Sequence, residues 1–273
     1  MAKKQVKTNI SIVLPIHKLN GEADTKLLTN ALSSVTTQTV MPDEVLIVVP
    51  AGSEVEKTMK SFDFGDAKGL VRVVSNPNTS DVQSQLNYGI SQVKTDWFSF
   101  LEYDDEYSNK WFKNVVEYRE AHSDVEIFMP IIVDVNASDS SFMGFSNEAV
   151  WANSFSDELG ILDNNALLSF QNFNIDGFVM KTSAVEDFGG FKSNIKLTFV
   201  YEFLLRMTFN AVKVMVIPRF GYKHQNQREG SLFASYRGEM DSTEANWWLE
   251  QAKKEYFHPS ERDMTYEPIA TTK

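Results

Sequence analysis

The sequence predicts an α/β fold built on a mostly parallel central sheet. Three observations predict it. Short β-branched runs alternate with stretches of helical spacing through the first hundred residues. Each run stops at Pro, Gly, Asn or acidic residues. The spacing leaves room for a crossover helix between successive strands, which parallel pairing requires.

In order, Ile10–Ile16 (ISIVLPI) reads as a buried strand that enters a loop at Pro15 and His17. Asp24–Thr37 carries Leu27, Leu28, Ala31, Leu32 and Val35 at helical spacing, with Asp24 as the expected N-cap. Glu44–Val49 (EVLIVV) is a second buried strand, closed by Pro50, Ala51 and Gly52. Ser53–Phe62 is a short helix and Leu70–Ser75 a third strand. Asp81–Val93 is a helix with Val82, Leu86, Ile90 and Val93 inward, and Trp97–Leu101 is the fourth strand. Ligands of such open sheets bind outside the carboxyl ends of the strands. Pro15–His17, Pro50–Ser53, Asn76–Asp81 and Glu102–Asp105 all fall at that edge, so one cleft is expected there.

The second half differs in texture. Ser108–His122 is amphipathic and helical, and Val125–Val135 is an apolar run broken at Pro130. Asn136–Asn165 is rich in Ser, Asn and Asp without a period, and reads as a long surface loop of the kind that often forms lids. Phe173–Met180 reads as a strand, Thr182–Phe188 as a short helix ending at Gly189–Gly190, Val200–Phe209 as a helix and Val212–Ile217 as a strand. Asp241–Phe257 is a final helix with Asp241 and Glu244 as a capping box, and the tail after Pro259 is expected to be extended. Trp151, Trp247 and Trp248 are either platforms on which a ligand stacks or core.

Composition narrows the function. The 273 residues suit one large domain or two small ones. A formal charge of −11 argues against a wide nucleic-acid face, which needs many Lys and Arg. Without cysteine there is no disulfide or thiolate chemistry, which fits a cytoplasmic setting. The basic start MAKKQVKTN leads straight into a strand with no apolar signal region, and no apolar run of about 18 residues predicts a membrane span.

The informative stretch is Thr95–Tyr107, TDWFSFLEYDDEY, a short apolar run that ends in Glu102, Asp104, Asp105 and Glu106. Crowded carboxylates raise one another's pKa unless a cation or solvent separates them. Hard oxygen ligands favour Mg²⁺ or Mn²⁺, which commonly take a substrate phosphate as a further ligand. The alternative is a solvated acidic turn before a helix, capped by Asp104 or Ser108.

The order of SIVLPIH, EVLIVV-x-x-GS, NP…LNYGI, DWFSFLEYDDEY, DFGGF and YEFLLRM resembles the family 2 inverting glycosyltransferases, over roughly residues 10–232. The resemblance implies a GT-A fold, a Rossmann-like nucleotide-diphospho-sugar transferase fold. It places that domain over residues 1–235, with a nucleotide-sugar half (1–107) and an acceptor half (108–235), followed by a C-terminal helix and tail (236–273). It also implies a metal-dependent hexosyltransferase using a nucleotide-diphosphate donor, with uridine as the expected base, and Mn²⁺ or Mg²⁺ as cofactor. LEYDD resembles the family's LDxDD metal motif, with Asp104 as principal ligand, Glu102 at the first acidic position and Asp105 in support. Asn87 and Gly89 match its N-x-G, and Gly189, Gly190 and Phe191 its acceptor-side turn. Pro15, His17, Gly52, Ser53, Asn87, Asp105 and Arg228 are the expected substrate-binding positions. His224 falls where the family often has a histidine that ligates metal or contacts the diphosphate. Arg228, with Gly230 and Ser231, suits a phosphate grip. His224 and Arg228 are otherwise ordinary loop residues.

The sequence also departs from the family. Pro50 and Ala51 stand where an aspartate usually contacts the base or ribose, and Leu86 stands where a basic residue usually precedes Asn87. Phe199 and Val200 replace the Glu-Asp pair that supplies the catalytic base. Glu202 is the favoured substitute and Asp176 the alternative. As a structural residue, Glu202 would simply sit at a helix N-terminus, stabilised by the dipole. A GT-A module that binds sugars without transferring them and a nucleotidyltransferase are the competing readings. The acceptor is unassigned: glycan, protein, lipid-linked sugar and, least favoured by the charge, a nucleic-acid base of the viral DNA-modifying kind.

Overall fold

The computed structural model describes residues 8–78, 81–151, 159–171, 173–226, 228 and 241–258. The first half alternates as its sequence predicts: β1 (Ile10–Pro15), α1 (Gly21–Thr36), β2 (Glu44–Pro50), α2 (Glu54–Ser61), β3 (Val71–Asn76), α3 (Val82–Ser91) and β4 (Trp97–Phe100). Then follow β5 (Glu106–Tyr107), α4 (Trp111–Ala121), β6 (Ile127–Asn136), β7 (Phe142–Ser146), β8 (Ile161–Leu162), α5 (Asn164–Ser169), β9 (Val179–Lys181), α6 (Thr182–Phe188), α7 (Phe199–Phe209), β10 (Val214–Asn226) and α8 (Ser242–Glu255).

Among the described residues these strands form one mixed sheet in the order β3-β2-β1-β4-β9-β6-β10-β5, with β7 added to β6 and β8 to β10. The first half is parallel: β1 lies between β2 and β4, and β2 pairs with β3. β9 runs antiparallel to both β4 and β6 and joins this half to the parallel pair β6–β10. The chain leaves β1 toward β2 and β3, then crosses back to β4 on the other side. That reversal opens the crevice in which such sheets bind ligands.

Both faces of the sheet are covered. Strand alternation sends Ile10, Ile12 and Leu14 to one face, where α1, α2 and α4 pack, and Val13 to the other, beneath α3, α7 and α8. α3 lies close to the sheet because Gly89 has no side chain. A Cβ there would meet Val13 Cγ1 at 2.4 Å and Val48 Cγ2 at 2.9 Å. α8 contributes Trp248, Ala252 and Tyr256 to the same core, so Trp248 is core rather than a platform.

Several elements differ from their sequence expectation for identifiable reasons. α1 begins at Gly21, so Asp24 lies inside the first turn, where its carboxylate accepts the Asn20 N–H at 2.7 Å. α4 begins at Trp111 after Lys110, and neither Asp104 nor Ser108 caps it. Pro130 does not break β6. Met129 pairs with Val216 and Ile131 with Phe220, so the missing proline N–H faces a bulge in β10 rather than a ladder position. Within the expected loop 136–165, β7, β8, the start of α5 and a 3₁₀ turn at Glu148–Trp151 are ordered elements. Of the expected strand 173–180 only Val179 and Met180 lie in a strand, β9, which runs on to Lys181. β10 runs on to Asn226, well past Ile217, because its second half pairs with β5 and the end of β6. Asp241 does cap the last helix, accepting the Glu244 N–H at 2.8 Å. Gly230, Ser231 and the tail from Pro259 lie outside the described residues.

Candidate active site

β4 ends at Phe100, and the chain turns through Glu102–Asp105 before β5. The turn is anchored to β10: the Glu102 N–H donates to the Tyr222 hydroxyl at 3.0 Å, and the Gln225 N–H donates to Asp105 Oδ1 at 2.8 Å. Asp105 is 0% exposed. Its other oxygen lies 3.1 Å from His224 Nδ1, and Asp176 Oδ2 lies 3.6 Å from the same nitrogen. The imidazole therefore sits between two carboxylates, one from the end of β4 and one from the turn before β9.

That second turn is tightly built. Asn174 Nδ2 donates to Asp176 Oδ2 at 2.5 Å, and Asn174 Oδ1 accepts the Asp176 N–H at 3.1 Å. Asn147 in turn clamps the Asn174 backbone, donating to its carbonyl at 2.9 Å and accepting its N–H at 3.0 Å. Trp111 Nε1 donates to the Gly177 carbonyl at 2.7 Å. Gly177 has φ +71°, and a Cβ there would lie 2.5 Å from the Tyr222 ring, so only glycine fits. Asp176 is thus on a fixed turn rather than on a strand, and its direction follows from these partners and not from strand alternation.

Crowding dominates the electrostatics. Burial, then the charges of Asp176, Asp105 and Asp104, push the Glu102 carboxyl well above the usual range. Asp176 is raised to about 6, chiefly by burial and then by Asp105, with His224 opposing. Asp104 is raised to about 6 by burial and Asp105, against the pull of Arg228. Burial disfavours the His224 imidazolium, but the charge and hydrogen bond of Asp105, with Asp176 and Glu102, outweigh it and raise the group to about 11. Ligand atoms of Glu102, Asp105 and His224 lie within 4.8 Å of one another, the spacing a single cation would need.

Asp104 points elsewhere. Arg228 Nε bonds its carboxylate, the guanidinium lies 4.9 Å from the centre of the Tyr103 ring, and Asp24 is 3.8 Å away. The sequence ranks Asp104 ahead of Asp105 as a ligand; in the structure it is Asp105 whose oxygen converges with Glu102 and His224. Pro15 and the exposed His17 stand at the end of β1. Gly52 and Ser53 act locally: Ser53 caps α2 through the Glu56 N–H at 3.1 Å, and the Gly52 N–H donates to Glu56 at 2.7 Å. Asn87 grips Phe191, accepting its N–H at 2.8 Å and donating to its carbonyl at 2.7 Å, so it fixes the Gly189–Gly190 turn.

Glu202 lies outside the carboxylate cluster. It is 0% exposed, bonded to Arg206 at 2.9 and 3.0 Å and to Lys192 at 3.1 Å. Arg206 also donates to the carbonyls of Phe188, Gly189 and Gly190, and Lys192 to that of Glu255 in α8. The sequence gives no sign of Asn174, Asn147, Tyr222 or Trp111 as supports. The asparagines in FNIDGF and FSNEAV are the only available signal, since paired amides often lock backbone turns.

The model for glycosyl transferase family 2 matches residues 11–171. Among solved structures, residues 1–349 of S. aureus TarS in complex with UDP-GlcNAc are similar at 14% identity and a TM-score of 0.62, covering 92% of this chain and 73% of that one. The same segment in complex with UDP gives 16% identity and a TM-score of 0.57, covering 92% and 72%. The chain spans 60% of another TarS 1–349 structure and 44% of a longer TarS structure. No curated protein matches it in sequence. Among the described residues, no helix is long and apolar enough to cross a membrane.

Proposed function

The chain belongs to glycosyl transferase family 2, and from that premise we propose that it moves a sugar, a hexose, from a nucleotide-diphosphate donor to a hydroxyl acceptor with inversion. The observation that carries the proposal is the convergence of Glu102, Asp105, Asp176 and His224 at the carboxyl edge of the sheet. The complexes of TarS with UDP and UDP-GlcNAc support a uridine donor here.

Glu102, Asp105 and, once the ion displaces its proton, His224 would hold Mn²⁺ or Mg²⁺, with Asp104 beside them. Their crowding fits that role, since a bound cation relieves the repulsion that raises Glu102. The ion would supply Lewis-acid stabilisation of the departing diphosphate. Asp176 is the base. The acceptor oxygen forms the new bond to the anomeric carbon as the bond to the diphosphate oxygen breaks. That oxygen keeps the electron pair, and the acceptor proton passes to the Asp176 carboxylate. Burial and the Asp105 charge raise the Asp176 carboxyl, which makes it a better proton acceptor than an exposed aspartate. Asn174 holds its carboxylate without neutralising it. Arg228, on the Asp104 side, grips phosphate. Glu202, Lys192 and Arg206 hold the Gly189–Gly190 turn.

The test is a screen of nucleotide sugars for Mn²⁺-dependent transfer or hydrolysis. Turnover of one donor that stops with EDTA and is lost in Asp176→Asn supports the reading. Absence of turnover with every nucleotide sugar, or full activity in EDTA, refutes it in its catalytic or its metal part respectively.

A further inference from the structure

Asp104 lies in the same turn as Glu102 and Asp105, yet its carboxylate is not among the groups that converge on a cation. Its partner is Arg228, 124 residues further on, whose Nε donates to Asp104 Oδ2. The guanidinium lies 4.9 Å from the centre of the Tyr103 ring, and Nη1 stands 3.8 Å from Asp24 Oδ1. Asp24 is itself fixed, since its other oxygen accepts the Asn20 N–H at 2.7 Å. The Asp104 and Arg228 side chains are 5% and 15% exposed. An arginine gives up much rotamer freedom when a ligand must fix it. Here the turn has already fixed it. Bonded to Asp104 through Nε, the guanidinium has its terminal nitrogens left to meet phosphate oxygens in pairs. Asp104 and Asp105 are consecutive, so this guanidinium is held beside the place that a cation-bound diphosphate would occupy.

We propose that Asp104 is a positioning residue: its carboxylate, with the Tyr103 ring and Asp24 alongside, aims the Arg228 guanidinium at the donor diphosphate and does not itself bind the cation. This rests on the reading of the cleft as a nucleotide-sugar site and gives Asp104 a role in it apart from Glu102, Asp105 and His224. Charge alone argues in the opposite direction. A carboxylate beside an anion site repels the anion, so removing it would strengthen diphosphate binding if it did nothing else. Asp104 helps the diphosphate only through the orientation it gives Arg228. The sign of its effect on the nucleotide therefore separates positioning from plain electrostatics, and its effect on the metal separates positioning from ligation.

The experiment compares wild type with Asp104→Ala, Asp104→Asn, Arg228→Ala and the double variant Asp104→Ala/Arg228→Ala. Calorimetry measures Mn²⁺ alone, then UDP in saturating Mn²⁺. Asp104→Ala is expected to lower UDP affinity by about tenfold or more and to keep Mn²⁺ affinity within about threefold of wild type. Asp104→Asn retains an oxygen that accepts the Nε–H, so its UDP affinity should fall between those of wild type and Arg228→Ala. The double variant should bind UDP no more weakly than Arg228→Ala, because the two residues act as one unit. UDP affinity unchanged or raised in Asp104→Ala overturns the proposal. So does a loss of Mn²⁺ affinity as large as that of His224→Ala, which makes Asp104 a ligand, and so do losses that add in the double variant. If Asp104→Ala does not fold, Asp104→Asn decides: UDP affinity at or above wild type, or Mn²⁺ affinity lost as in His224→Ala, overturns the proposal. If wild type binds UDP and Arg228→Ala binds it equally well, the proposal fails and the donor reading stands. If wild type binds no UDP, the donor reading falls and the proposal with it.

Discussion

Glu202→Gln should lower the stability of the protein and leave its chemistry largely in place. Glu202 accepts contacts at 2.9 and 3.0 Å from Arg206 and 3.1 Å from Lys192, with the three side chains 0%, 1% and 2% exposed. Removing the anion leaves two cations buried with only carbonyl partners. Breaking a buried pair in this way typically costs about 3–5 kcal/mol. Glutamine retains one carbonyl acceptor, which places this case near the lower end. For a chain of this size each kcal/mol moves the melting temperature by about 2–4 °C, so a fall of roughly 6–12 °C is expected. Differential scanning calorimetry measures it. Turnover well below the transition, per folded molecule, should fall by less than the hundredfold or more expected for loss of a general base. An unchanged melting temperature together with a hundredfold loss of turnover would refute the reasoning and make Glu202 the base.

Asp176→Asn should bind UDP–Mn²⁺ as wild type does and lower turnover by about 10²–10⁴-fold, measured by steady-state kinetics; near-normal turnover removes Asp176 from the chemistry. His224→Ala should weaken Mn²⁺ binding in calorimetry, and an unchanged affinity excludes it as a ligand. Arg228→Ala should weaken UDP binding by about 1.5–3 kcal/mol, the scale of a charged hydrogen bond; an unaltered dissociation constant places it outside the site. Divalent-cation affinity should fall as pH drops. Of the three ligands, Glu102 is raised well above the usual carboxylate range by burial and its acidic neighbours, and His224 is raised to about 11 by Asp105, Asp176 and Glu102, so a cation must displace their protons and competes less well at lower pH. A flat titration between pH 5 and pH 7 would contradict that crowding.

The first half of the fold was legible because β1, β2 and β4 are buried on both faces and read as near-continuous apolar runs. ISIVLP and EVLIVV need no context. The clustering of acidic residues after an apolar strand was visible in the sequence, but whether they form a solvated turn or a buried cluster was not. What the sequence hid depends on partners distant in the chain. GYKHQN reads as a loop because its alternation is polar, yet pairing with β5 and β6 makes it strand and brings His224 to Asp105, 119 residues away. FNIDGF has the β-branched and aromatic residues of a strand. Asn147 and Gly177 override that propensity and turn the chain. The sequence favours Glu202 over Asp176 as the base from its place near the start of a helix, because burial and ion pairing with Lys192 and Arg206 belong to tertiary structure.

The bulge in β10 fixes more than the tolerance of Pro130. Between Met129 and Ile132 the β6 strand advances three residues, while β10 advances from Val216 to Tyr222. The extra residues set the phase with which β10 arrives at the cleft. Tyr222 and His224 then fall on the side of the turn and the carboxylates, and Lys223 falls on the other, bonded to Glu106. A deletion of one residue in 217–221 that slipped the pairing beyond it by one position would exchange the two sides. Gln225 would then stand in place of the imidazole and Lys223 in place of Tyr222, so the carboxylates would lose their histidine. The length of this short segment therefore matters to the site through register. A slip of one position there acts as a frameshift in space: the sheet stays paired while the residues that face the cleft are exchanged.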